Sequence, residues 1–263
     1  MIIYPSIDLR GGKVVRLREG DPKRQTVFSD DPLATAREWI AEGAAWIHMV
    51  NLDGAFASAN NNGAILESVA KLSAKVQFAG GLRTLDDIAL TFERGASRVV
   101  LGTVAVQQPE IVALAIARWG AEKMSVALDA RDGKVTTHGW QQSAEITPIE
   151  FGKQMAALGT IHALYTDVNR DGGLAGSNVA GTITLGRETG LQVIASGGVS
   201  TLEEIRQYAR SGVVAGAVIG MALYEKRLSL REAIEAGNNM PLSPGPSPTQ
   251  GGCPNKLGRG EKS

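Results

Sequence analysis

Cysteine is nearly missing from this chain: Cys253 stands alone. A single thiol excludes an internal disulfide and argues against a structural zinc site. Histidine is scarce too, and His48, His138 and His162 are too scattered to give metal-ligand spacing, so no metal is expected. His48 and His162 lie in or at apolar runs and read as structural. Neither sign of charge is in excess, with 27 basic and 27 acidic residues. That balance gives no reason to expect nucleic acid or an anionic membrane as partner. No apolar run is long enough to span a bilayer. No basic region precedes the apolar start Met1-Ile2-Ile3-Tyr4-Pro5, so no signal peptide is expected. The expected setting is the cytoplasm, and the expected state a monomer.

What the chain does have is a repeat. Ile7-Asp8-Leu9-Arg10-Gly11-Gly12-Lys13-Val14-Val15 reads against Leu128-Asp129-Ala130-Arg131-Asp132-Gly133-Lys134-Val135-Thr136. Gly80-Gly81-Leu82-Arg83-Thr84-Leu85-Asp86-Asp87-Ile88 reads against Gly197-Gly198-Val199-Ser200-Thr201-Leu202-Glu203-Glu204-Ile205. Val100-Leu101-Gly102 reads against Val218-Ile219-Gly220 at nearly the same spacing. These are three points on one duplication, carrying one aspartate and two glycine turns per half.

Short β-branched runs recur at 2–7, 45–50, 76–79, 98–101, 124–128, 162–166, 192–195 and 217–219. Segments between them (33–42, 64–72, 85–94, 111–119, 148–158, 178–188 and 202–210) space their apolar residues as helices do. Strand–helix alternation points to βαβ units and a parallel sheet. Eight units in a chain of this length fit a closed (β/α)8 TIM barrel built from two duplicated half-barrels. Pro5 removes a ladder donor inside the first run, so a bulge or irregular pairing is expected there. The barrel domain is expected over residues 1–240. Beyond it, half of the ten prolines crowd into a stretch without periodicity or aromatics. Residues 241–263 are therefore expected to be a disordered tail without function.

Barrel active sites sit at the C-terminal strand ends. Asp8 ends the first run and Asp129 the fifth, on opposite sides of an eight-stranded ring. Two such carboxyls can share acid and base work across a small substrate. Either alone could equally cap a turn; their matched placement in both halves favours chemistry. Gly80 and Gly81, Gly197 and Gly198, and the strand ends Gly102-Thr103 and Gly220-Met221 allow backbone amides to approach phosphate. Two such sites suggest a ligand phosphorylated at both ends. Thr166 ends the sixth run. Asp171 follows in its loop and either contacts substrate or fixes the loop. Arg18 and Arg83 are loop arginines at the same end, with solvation as the alternative to ligand contact. Trp140 could stack on a planar base.

These residues resemble the histidine-biosynthesis isomerase family, which acts on a phosphoribosylformimino-5-aminoimidazole carboxamide ribotide. The matching stretches are Ser6-Ile7-Asp8-Leu9, Val15-Arg16-Leu17, Gly20-Asp21, Leu52-Asp53-Gly54-Ala55, Gly80-Gly81-Leu82-Arg83, Leu101-Gly102-Thr103, Leu128-Asp129-Ala130-Arg131, Gly139-Trp140, Tyr165-Thr166-Asp167, Arg170-Asp171-Gly172, Ser196-Gly197-Gly198-Val199 and Ala222-Leu223-Tyr224-Glu225. They cover residues 1 to 237. The resemblance implies a duplicated half-barrel, a substrate with two phosphates and no metal or organic cofactor. It implies aldose–ketose isomerisation by an Amadori rearrangement, with Asp8 as general base, Asp129 as general acid and Thr166 as helper near the ring oxygen. Asn51, where the family usually has Asp, and Gly173, where it usually has Thr, depart from the pattern. The rivals are a dual-substrate isomerase that also takes phosphoribosylanthranilate, the sister cyclase (a lyase), and a catalytically dead ligand-binding barrel. The cyclase typically has Cys before Leu-Asp in its first strand and lysine in its first loop; here these are Ser6-Ile7-Asp8 and Arg16-Leu17-Arg18.

Overall fold

The β-branched runs form the inner wall of a closed ring. The computed structural model describes residues 1–18, 20–58, 62–172 and 176–238, without the Arg18 side chain. Its ring strands are β1 (Ile2–Arg10), β2 (Trp46–Asn51), β3 (Lys75–Ala79), β4 (Arg98–Leu101), β5 (Met124–Ala127), β6 (His162–Thr166), β7 (Gln192–Ser196) and β8 (Val214–Ile219). Each pairs in parallel with the next. β8 returns to β1, with Ile2 opposite Gly216 and Pro5 opposite Ile219. Closure leaves the ring without an edge strand, the usual liability of a sheet.

Among the described residues, eight longer helices cover the outside: α1 (Pro32–Ala41), α2 (Gly63–Ala70), α3 (Leu85–Glu93), α4 (Pro109–Trp119), α5 (Pro148–Ala157), α6 (Val179–Thr189), α7 (Leu202–Ser211) and α8 (Leu230–Asn238). Their starts follow from side-chain chemistry. Asp31, Thr84, Thr147, Asn178 and Thr201 each accept a first-turn amide, filling bonds a helix start leaves open. Thr84, Thr147 and Thr201 do so within reciprocal capping boxes. Buried residues such as Ile205, Tyr208 and Ala209 of α7 lie three and four apart and face the sheet.

Two apolar layers result. The larger lies between sheet and helices. The smaller fills the ring itself, around Tyr4, Val100, Leu164, Ile194 and Val218. Burial on both faces explains why the strands read as continuous apolar runs. Among the described residues, no helix is long and apolar enough to cross a membrane.

The structure departs from the sequence reading in several places. Pro5 causes no shift in register; it sits where the pairing of β1 passes from β8 to β2. Within the ring, a shift occurs instead between Val193 and Ile194, where β7 pairs with β8. An eighth helix, α8, completes the ring. After Asp8 the chain does not form a simple loop: Lys13–Arg18 and Asp21–Ser29 add antiparallel strands to β1. The matching place after Asp129 has a small separate sheet of Ala130–Arg131, Lys134–Thr137 and Gln142–Ser143. Gly173 and the tail at 241–263 lie outside the described residues.

Candidate active site

Asp8 lies near the C-terminal end of β1 and lines the cavity at the ring mouth. The antiparallel return strand places Arg16 against it, Nη1 to Oδ2 at 2.7 Å. Ser6 donates its hydroxyl to the other carboxylate oxygen at 2.6 Å. Ser6 also accepts from Arg16 at 3.2 Å. The Tyr224 hydroxyl donates to the Ser6 carbonyl at 2.8 Å, anchoring the strand beneath. Arg16 reaches a second carboxyl as well: its Nη2 is 3.8 Å from Asp171 Oδ1. Burial works against its charge, but Asp8 and Asp171 more than offset that and push its pKa up. Gly220 gives the guanidinium room, since a Cβ there would lie 2.4 Å from Arg16 Cζ.

Asp129 stands two residues past the end of β5. Its Oδ2 accepts the Trp140 indole N–H at 2.8 Å. Its Oδ1 is buried and has no hydrogen-bond partner among the described residues. Burial raises the carboxyl pKa, while the nearby Thr166 hydroxyl and the indole pull the other way. The Asp171 pKa is also raised, to about 6. Burial is the main cause, Arg16 opposes it, and the charges of Asp8 and Asp129 add to it. Carboxyls in such surroundings can hold a proton near neutral pH.

Asp8, Asp129, Thr166 and Asp171 line one cavity of about 190 Å³. Gly80, Gly81, Gly102, Thr103, Arg83 and Trp140 line it too. Gly197, Gly198, Gly220 and Met221 line a smaller recess next to it, and Arg16, Asp171, Ser196 and Val218 belong to both. The structure thus brings together every described side chain singled out from the sequence, while the Arg18 side chain is not among them. Some of these groups have local partners. Arg83 Nη2 donates to the Gly54 carbonyl at 2.8 Å. The Thr103 hydroxyl accepts the His138 amide at 2.8 Å. The Trp140 ring packs on Gly20, where a Cβ would lie 2.4 Å from it.

The two glycine turns are built alike. Gly80 has φ +95° and Gly197 φ +84°. A Cβ at Gly80 would lie 2.3 Å from the Asn51 carbonyl oxygen, and one at Gly197 2.6 Å from that of Asp167. Asn51 and Asp167 hold matching places, and each accepts from an asparagine: Asn62 Nδ2 at 2.8 Å and Asn178 Nδ2 at 3.0 Å. Asn51, a departure from the expected Asp, keeps an acceptor here and also receives the Gly54 amide at 3.1 Å.

The family model described as histidine biosynthesis protein matches residues 2–229. The chain belongs to this family. Histidine biosynthesis relatives match it along nearly their whole length. A protein of Moorella thermoacetica is 44% identical over 238 residues, covering 89% of this chain and 97% of that protein. One of Geobacillus thermodenitrificans is 42% identical over 240 residues, with 90% and 97% covered. One of Paracoccus denitrificans is 42% identical over 237 residues, with 90% and 99% covered. All three are named 1-(5-phosphoribosyl)-5-((5-phosphoribosylamino)methylideneamino)imidazole-4-carboxamide isomerase.

Within this histidine biosynthesis barrel, Arg16, Ser6 and His48 are among the cavity residues that escaped the site expected from sequence. Arg16 has Thr137 at the matching place in the second half, so the repeat passes over it. Ser6 looks like an ordinary strand residue. His48, read as structural, lines the cavity; its position in an apolar strand concealed that it faces the ring interior.

Proposed function

We propose that this chain isomerises the aminoaldose named in its relatives, a step of histidine biosynthesis, to the corresponding aminoketose. The observation that carries the reading is the placement of Asp8 near the end of β1 and Asp129 just past β5, in one cavity lined by one glycine turn and adjoining a recess lined by the other. The relatives' names contain two phosphoribosyl groups, which suits one anionic group at each recess. Holding both ends orients the reacting carbons and lowers the barrier through positioning.

In this reading Asp129, with its raised pKa, gives its proton to the ring oxygen of the aminoribose. The C–O bond breaks and the nitrogen lone pair forms a protonated imine. Asp8 removes the proton from the adjacent carbon, and those electrons neutralise the imine to an enolamine. Tautomerisation then gives the ketose. Arg16 keeps Asp8 supplied with a countercharge, and Thr166 stands beside the acid. Gly80, Gly81, Gly102 and Thr103 take one phosphate, and Gly197, Gly198, Gly220 and Met221 the other. Arg83 and Trp140 contact the substrate between them. We further infer a cytoplasmic monomer, which light scattering of the purified protein checks for the oligomeric part.

A second assignment of the acid is favoured by Asp171, whose pKa of about 6 suits proton donation near neutrality better than an ordinary carboxyl does. Asp8→Asn is expected to cut turnover by about 10²–10⁴-fold, the usual contribution of a positioned base. Asp129→Asn and Asp171→Asn separate the two acids: the one that donates loses a comparable factor and the limb of the pH–rate profile that reports it. Assays use the formimino ribonucleotide and phosphoribosylanthranilate side by side. Near-normal turnover in Asp8→Asn would remove the mechanism.

A further inference from the structure

The duplication fails in one place inside the ring, and the failure leads to the active site. In the second half, interior residues Leu164 and Ile194 are apolar, and Gly216 faces Tyr4. The matching places in the first half hold His48, Gln77 and Arg98. All three are buried, Gln77 completely. A ring interior can evidently be filled with apolar groups or glycine at these positions. Burying polar groups there instead is costly unless every one is paired.

They are paired in sequence. Strand register sets His48 beside Gln77 and Gln77 beside Arg98. Arg98 Nη1 lies 3.3 Å from Gln77 Oε1, and Gln77 Nε2 lies 3.1 Å from His48 Nδ1. A guanidinium only donates, so the amide atom facing it must be the oxygen. The amide nitrogen therefore faces His48 and donates to Nδ1. A nitrogen that accepts carries no proton, so the proton of neutral His48 is on Nε2. Arg98 is itself held by the Tyr4 hydroxyl at 3.2 Å, the Glu122 carbonyl at 3.2 Å and the Trp46 ring, 4.9 Å away.

We propose that Arg98 and Gln77, at the end of the ring remote from the reaction, are positioning residues that fix His48 as its Nε2–H tautomer and so present one neutral N–H donor to a sugar oxygen of the substrate. Burial favours the same neutral form: it takes the His48 pKa down to about 4, with Asp8 opposing and Arg16 adding to the fall. The proposal rests on the isomerase reading of the cavity, but its first test needs no substrate.

Nitrogen-15 NMR of histidine-labelled full-length protein, with His48→Asn to assign the signal among three histidines, reads the tautomer directly. Between pH 6 and 8 His48 is expected to be neutral, with its proton on Nε2. Gln77→Glu reverses the demand, because a carboxylate can only accept from His48. In that variant the proton moves to Nδ1, Nε2 no longer donates, and kcat falls by about tenfold or more, as for loss of a donor to a developing charge. KM stays within twofold. Gln77→Met, which makes no demand, gives mixed tautomers and a smaller loss. A merely structural role would lower thermal stability in both variants without changing the tautomer. A wild-type His48 with its proton on Nδ1 overturns the proposal even if neither variant folds. So does a Gln77→Glu protein that has switched tautomer but keeps wild-type kcat. A wild type with the expected tautomer and no isomerase turnover would instead overturn the reading of the cavity.

Discussion

Arg16 is a single cation between two carboxyls, and distance divides it unequally. At 2.7 Å it is a direct ion pair with Asp8; at 3.8 Å it is a weaker neighbour of Asp171. Asp171 is thus buried with incomplete compensation, and its pKa rises to about 6. In an unfolded chain it would be about 3.9. A carboxyl raised by folding stabilises the fold fully below its unfolded pKa, and that contribution is lost as pH rises through the folded value. The wild type is therefore expected to lose on the order of 2 kcal/mol relative to Asp171→Asn as pH climbs from about 4 to about 6 and beyond. Urea melts of both proteins at pH 4, 5, 6 and 7.5 check this. A constant difference across the series would show that Asp171 titrates normally. Asp8, Asp129 and Asp171 themselves were visible in the sequence, as aspartates at strand ends or in a strand-end loop. Their unequal surroundings were not, because these depend on an arginine that folds back on a return strand whose counterpart in the repeat carries Thr137 instead.

The turns after β3 and β7 are a second unit of meaning. Their double glycines lead into capping boxes of one design: Asp87 accepts the Arg83 and Thr84 amides, and Glu204 the Ser200 and Thr201 amides. Left-handed φ and close approach can be separated by substitution. Gly212, after α7, has φ +70° and open space where a methyl group would stand, whereas Gly197 has the Asp167 carbonyl 2.6 Å away. Gly212→Ala is expected to cost about 1 kcal/mol from backbone strain alone. Gly197→Ala should cost at least about 2 kcal/mol and lower turnover as the turn moves. Chemical denaturation and kcat on the same samples measure both; equal costs would mean the turn has slack. Most strands and seven helices were legible because buried β-branched runs and spaced apolar stripes are local signals. The strand Asp21–Ser29 was not, since much of it is exposed and it has no buried stripe. Nor was α8, whose buried face is Leu230 with Ala233, Ala236 and Gly237, a faint apolar signal.

At the scale of the whole molecule, α8 covers the seam where the ring closes. It packs on α7 and β1, and the Met1 ammonium donates to its Gly237 carbonyl at 2.8 Å. A chain ending at Arg227 exposes this seam. Losing the burial of Leu230 alone costs about 2–3 kcal/mol, so its Tm should fall by about 5 °C or more. A chain ending at Met240 should keep both Tm and turnover, as expected if residues 241–263 add nothing to the barrel. Calorimetry and assay of the two truncations decide; lost turnover in the longer one would give the tail a role. Closure itself could be read from the number of strand units and their duplication. The choice of what fills the ring could not, because apolar and polar fillings satisfy the same strand pattern.

The indole resting on Asp129 has a practical consequence. Trp140 is the only one of the four tryptophans that lines the cavity, and its N–H is committed to the carboxyl proposed to donate a proton. Any ligand that competes for that carboxyl must displace the ring from its bed on Gly20. Ultraviolet-excited fluorescence should therefore shift in colour as the site fills, giving an unlabelled optical titration of occupancy that Trp140→Phe silences.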